Sequence, residues 1–178
     1  MNPEPSLSET GVMLRCEIAW ILMRQGSFAE AWQILDEAER ILAAGDEHPA
    51  FGQNGQRVRI DYYRMRIARG TGDLSRAVLL AEQLVGDPQV RISLRARTLL
   101  DLVEMHIEAS DQSAALDAYR RLASLPVTEE ESQAFLQPIL LAAQSRLNQK
   151  GWLGTLAKAQ PAGAKVIDLM AAVDVRNQ

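Results

Sequence analysis

The stretch Gly72–Pro88, GDLSRAVLLAEQLVGDP, decides the reading of this chain. It opens on a Gly-Asp turn and then carries Ala77, Leu80, Ala81, Leu84 and Val85 at spacings of three and four, one stripe of a helix. Pro88 ends it, because a proline cannot continue the backbone hydrogen-bond ladder. Two further stretches repeat the pattern. Gly26-Ser27-Phe28 leads into Ala31, Leu35 and Ala38, while Ser110-Asp111-Gln112 leads into Ala115, Tyr119 and Leu122 with Pro126 behind. The interval from Ala77 to Pro88 equals that from Ala115 to Pro126, 11 residues in each case.

Working outward, the periodicity predicts helices over about Ser8–Arg24, Phe28–Ala44, Arg57–Arg69, Leu74–Val85, Val90–Ala109 and Ser113–Leu125, with Ser8 or Thr10 capping the first. A seventh begins near Thr128 and runs to Gln149, its start marked by a capping box between Thr128 and Glu131 and its course kinked at Pro138. Gly45–Gln56, with Pro49 and an Asn-Gly pair, is a loop by composition. Trp152–Ala159 and Lys165–Val175 are expected as short closing helices around a Pro161 break. The organisation predicted is an arm over residues 1–10, a helical repeat domain over 11–160 and a capping helix or tail over 161–178.

Composition bounds the function. With 178 residues, 47 % hydrophobic and 24 % charged, the chain can build a core and is not of disordered composition. Aromatics are only 5 %, which favours close-packed helices. A net charge of −4 argues against a mainly electrostatic nucleic-acid binder, although Arg57–Arg69 carries five arginines and two tyrosines. Cys16 is alone, so no internal disulfide can form. The apolar run Gly11–Met23 is interrupted by Arg15 and Glu17 and follows acidic rather than basic residues, unlike a secretory signal. A cytoplasmic location without a membrane span is the expectation.

Ala31, Ala77 and Ala115 lie 46 and 38 residues apart, and setting aside the 12 residues of Gly45–Gln56 turns the first interval into 34. That length, with the turns GSFAEA (Gly26–Ala31) and GDLSRA (Gly72–Ala77), resembles the tetratricopeptide repeat. SDQSAA is a degenerate third copy, and the early Trp of that family is replaced by Arg15 and Leu99. The resemblance covers about residues 12–126 and implies an all-α fold: a right-handed α-α superhelix of about three helix pairs with a C-terminal helical cap. It also implies that Ala31, Ala77 and Ala115 sit where paired helices cross closely.

By the same resemblance, the first helix of each pair lines a groove for a partner peptide. The positions carried over are Met13, Cys16, Trp20, Met23 and Arg24; then Asp61, Met65 and Arg69; then Arg97, Leu100, Glu104 and Glu108. The function implied is a non-catalytic protein-binding adaptor, scaffold or chaperone-like subunit, with self-association through the N-terminal helix as one form of partnership. The apolar first helix can equally be core. ARGTGDLSRAVLLAEQL (Ala68–Leu84) also resembles the helical sensor region of large ATP-dependent bacterial transcription activators, which makes a regulatory module the alternative. The chain has no phosphate-binding G-x-x-x-x-G-K-[ST] loop, and no H-E-x-x-H, C-x-x-C or G-x-S-x-G. With His48 beside Pro49 and His106 on a packing face, no catalytic residue, metal or cofactor is expected.

Overall fold

One turn chemistry recurs along the chain. Helix α1 (Leu7–Arg24) ends at Gly26, α3 (Gln53–Gly70) at Gly72, α5 (Ile92–Glu108) at Ser110 and α7 (Gln137–Gln149) at Gly151. All four of these residues have positive φ, +80°, +82°, +58° and +71° respectively. Each is followed by a residue whose N–H reaches back five positions: Ser27 to Leu22 O (2.9 Å), Asp73 to Ala68 O (2.9 Å), Asp111 to His106 O (2.8 Å) and Trp152 to Leu147 O (3.0 Å). This is the Schellman closure, in which a left-handed residue lets the chain satisfy the last helical carbonyls. The degenerate third copy thus keeps the geometry with Ser110 where the others have glycine, at some steric cost.

The even helices start two residues after the turn residue: α2 (Phe28–Ala44), α4 (Leu74–Gly86) and α6 (Gln112–Ala123). Asp73 and Asp111 cap their helices, accepting hydrogen bonds from Arg76 N (3.1 Å) and Ala114 N (3.0 Å). The carbonyls of Ser27, Asp73 and Asp111 accept from Ala31, Ala77 and Ala115, the first full helical bond of each. Gly151-Trp152 repeats the turn a fourth time, and the chain is helical again at Leu153.

The computed structural model describes residues 7–44, 53–128, 130 and 132–154. Among them are seven α-helices packed sequentially in antiparallel pairs, α1 with α2, α3 with α4 and α5 with α6. Each even helix also packs on the next odd one, and α1 touches α3 as α5 touches α7. Two apolar clusters result. The first joins Val12, Cys16 and Ala19 to Ala31, Leu35, Ala38, Leu42, Ile60 and Ile67. The second runs from Met65 and Ala77 through Leu99, Leu102 and Ala115 to Leu147. Ala31, Ala77 and Ala115 are all fully buried.

Several boundaries differ from expectation. Helix α1 starts at Leu7, ahead of both Ser8 and Thr10, so neither residue precedes its first turn, and the N-terminal arm is already helical there. Gln53–Gln56, read as the end of a loop, forms the first turn of α3 despite the Asn54-Gly55 pair; packing farther along the helix carries it past a weak local preference. Pro138 sits in the first turn of α7, where its missing N–H is free, and a π-helical turn over Ser132–Leu136 precedes it. The loop residues His48, Pro49 and Phe51, most of the Trp152–Ala159 segment and the Lys165–Val175 helix lie outside the described residues, as does Glu131 of the expected capping box.

Candidate functional site

Counting back from the turn residues gives the odd helices a common register. Two, six, nine and thirteen positions before them stand Arg24, Trp20, Glu17 and Met13 in α1; Gly70, Arg66, Tyr63 and Arg59 in α3; and Glu108, Glu104, Asp101 and Arg97 in α5. Three- and four-residue spacing places each set on one helix face. The three faces are joined edge to edge. Arg59 Nη1 donates to Glu17 Oε1 (3.1 Å), and the Trp20 ring stacks on Tyr63 with centroids 6.0 Å apart. Arg24 lies over the Trp20 ring at 5.9 Å.

From α3 to α5 the joint is ionic. Arg69 donates to Asp101 Oδ1 (3.0 Å), Glu104 Oε2 (2.8 Å) and Glu108 Oε1 (2.6 Å). Arg66 donates to the Tyr62 hydroxyl (3.3 Å), which donates in turn to Asp101 Oδ2 (3.3 Å). Arg146 of α7 closes the row on Glu104 Oε1 (3.3 Å). The three arginines match the three carboxylates in charge, so the network is balanced. Asp101 is 7 % exposed, and burial pushes its carboxyl above the ordinary range against the pull of Arg66 and Arg69. For Arg69 burial works to lower the pKa, but its bonds to Glu108 and Glu104 outweigh that and hold it above the usual arginine range. Burial and the neighbouring Asp101 charge raise the Tyr62 phenol.

The residues picked from sequence separate into four groups. Trp20 and Met23 are half-buried, and Met13, Arg24 and Arg97 are exposed, so all five border this face or its rim. Arg69, Glu104 and Glu108 are brought together in the ionic joint. Cys16 and Met65 do not face a partner: both are fully buried, ten and seven positions before their turn residues, where the helix meets the core. Burial also raises the Cys16 thiol to about 11, Arg59 opposing only in part. Asp61 and Leu100 are half-buried away from the row, and burial raises the Asp61 carboxyl.

Sequence reading missed Tyr62, Arg66, Asp101 and Arg146. The signal was present as the i, i+4, i+7 run Tyr62-Arg66-Arg69 facing Asp101-Glu104-Glu108, but it becomes a pair only when α3 and α5 are side by side. The arginines of Arg57–Arg69 are largely engaged: Arg59 by Glu17, Arg64 by Asp36 and Glu39 (2.7 Å), Arg66 and Arg69 by the α5 carboxylates. A nucleic-acid backbone would have to displace these partners.

A second feature lies at the start of α4. Arg76 stacks on the Trp32 ring at 4.2 Å and Arg64 approaches it at 5.5 Å. Trp32 and Arg76 border a cleft of about 240 Å³ lined also by Phe28, Thr71 and Asp73. No group of three or more His, Cys, Asp or Glu among the described residues is arranged to hold a metal ion, and no described helix is long and apolar enough to cross a membrane. No known protein family matches this chain, and neither curated proteins nor solved structures include a match to it.

Proposed function

We propose that this chain is a non-catalytic protein-binding adaptor or scaffold subunit, a tetratricopeptide-like stack whose odd helices present the partner surface. The observation that carries this reading is the continuous row Arg24–Trp20–Tyr63–Arg66–Asp101–Glu104 across α1, α3 and α5, aromatic at one end and ionic at the other. A half-exposed Trp with an Arg on its face supplies the kind of group that anchors protein partners. The interlocked ion pairs hold neighbouring helices in register, so the surface is formed before a partner arrives and little ordering entropy is lost on binding. The cleft beside Trp32, about 240 Å³, opens to solvent, which suits an extended protein partner better than an enclosed small molecule.

The test is site-specific photo-crosslinking in the native cell. A photoreactive phenylalanine analogue at Trp20 or Met13 should trap one discrete partner band. The same analogue at Gln83 on the outer side of α4 should not. Equal yields from both sides, or none from either, would overturn the assignment of the partner surface to the odd helices.

A further inference from the structure

The register that aligns the odd helices also exposes an unfilled place in the stack. Five, eight and twelve positions before the turn residue, α3 has Ile67, Arg64 and Ile60, and α5 has Met105, Leu102 and Thr98. In α3 the two isoleucines are 3 % and 1 % exposed within the α1–α2 cluster, and Arg64 is bound to Asp36 and Glu39 of α2. In α5 all three residues are fully buried, and α4 packs on that helix. At those positions an internal odd helix thus meets the even helix before it. In α1 they are Ile21, Leu14 and Ile18, and these remain 53 %, 59 % and 38 % exposed.

We propose that this stripe of α1 receives an antiparallel amphipathic helix from a partner protein, seated as α4 is seated on α5. Two observations define the occupant. The first is charge. Position eight is Ile18 in α1 and Leu102 in α5, whereas in α3 it is Arg64, which takes carboxylates from α2. The neighbouring charges of α1 are already engaged, Arg15 by Glu37 and Glu17 by Arg59. The occupant therefore offers an uncharged Ala/Leu face like that of α4, not the Asp/Glu-bearing face of α2. The second is area. With Met13 at its rim, the stripe exposes on the order of 300–400 Å² of apolar side chain, well short of the ~800 Å² per partner of a stable protein–protein interface. That suits one helix laid along α1 rather than two copies of this chain meeting end to end. The stripe meets the aromatic and ionic row only at Met13, and its test substitutes none of the row's residues.

The probe is a labelled peptide of residues 72–88, carrying a hydrocarbon staple between positions 79 and 83 on its exposed face, titrated against the full chain by fluorescence anisotropy. Saturable binding is expected, weakened at least tenfold by Ile18→Asp and likewise by Ile21→Lys in the full chain, and unchanged by Leu79→Asp on the exposed side of the full chain's own α4. A stapled peptide of residues 27–44, which brings Asp36 and Glu39, should bind at least tenfold more weakly. Because the replaced residues are exposed, both α1 variants should keep the wild-type melting temperature. Binding that is absent, or that survives both α1 substitutions, overturns the proposal. So does sedimentation showing a wild-type dimer that Ile18→Asp dissociates, since the stripe would then belong to a second copy.

Discussion

Replacing Arg69 by Met removes the cation that joins α3 to three carboxylates of α5 while leaving a side chain of similar reach. The bond to Glu108 is largely exposed and is worth about 0–1 kcal/mol. The bond to Asp101 is different. Both side chains are mostly buried, 20 % and 10 % exposed, and deletion of one partner leaves a desolvated carboxylate with Arg66 at 3.7 Å and the Tyr62 hydroxyl. Breaking a fully buried pair costs about 3–5 kcal/mol; partial exposure and the remaining Arg66 bring the expectation to about 2–3 kcal/mol. For a chain of this length that is a fall in melting temperature of roughly 5–10 °C, followed by circular dichroism at 222 nm. The sign of the pH dependence follows from Asp101. Its folded pKa already lies above the unfolded value, so its ionisation is a penalty above the folded pKa that disappears as pH falls toward the unfolded one. Loss of Arg69 enlarges that penalty. The deficit of the variant should therefore be greatest at neutral pH and shrink toward about pH 4, and Asp101→Asn in the same chain should recover about half of it or more. A deficit under about 0.5 kcal/mol, or one equal at both pH values and untouched by Asp101→Asn, would refute the account of a buried, Arg-dependent carboxylate.

Other substitutions probe the packing and the turns. Ala77→Leu, at a fully buried position, should cost about 1–3 kcal/mol in urea unfolding, since no space exists for the added carbons. A Cβ at Gly70 would lie 2.6 Å from the Phe28 ring, so Gly70→Ala should lower stability by about 1–2 kcal/mol and be rescued by Phe28→Leu, while Gly55→Ala, which meets open space, should raise it by about 0.5–1 kcal/mol. Ser110→Gly relieves the positive φ of the third turn and should raise the melting temperature by a few degrees, corresponding to about 1 kcal/mol. Cys16, buried with its thiol raised to about 11, should react with a thiol reagent at pH 8 only at the rate of unfolding and become fully reactive in denaturant.

How much of this was legible in the residues depends on range. The i, i+4 stripe Ala77-Ala81 and the i, i+4, i+7 stripe Ala31-Leu35-Ala38 announce helices because the burying face is a local property of one rod, and both stripes are buried. Turns set by a short strong signal were also legible: Gly26-Ser27, Gly72-Asp73 and Ser110-Asp111 stand where α2, α4 and α6 begin, and a turn needs only its near neighbours. The left-handed Ser110 was not, since nothing in a serine favours positive φ; the packing of α5 and α6 on either side holds it there. The site was half legible. Trp20, Arg69 and Glu104 stand on the expected helices, but the same reasoning chose Cys16 and Met65, which the core takes up.

By itself, then, the sequence determined an all-helical fold class, the turn positions and the buried stripes of α2 and α4, because these depend on spacings within four residues. The tertiary structure alone decided which charges meet and which apolar stripe is left uncovered. Asp101 finds Tyr62, Arg66 and Arg69 across more than thirty residues of chain, and Ile18 stays exposed where Leu102 is buried. Identical local patterns acquire opposite environments because burial is a property of what packs alongside, and among the described residues α5 has α4 against this face while the same face of α1 is exposed.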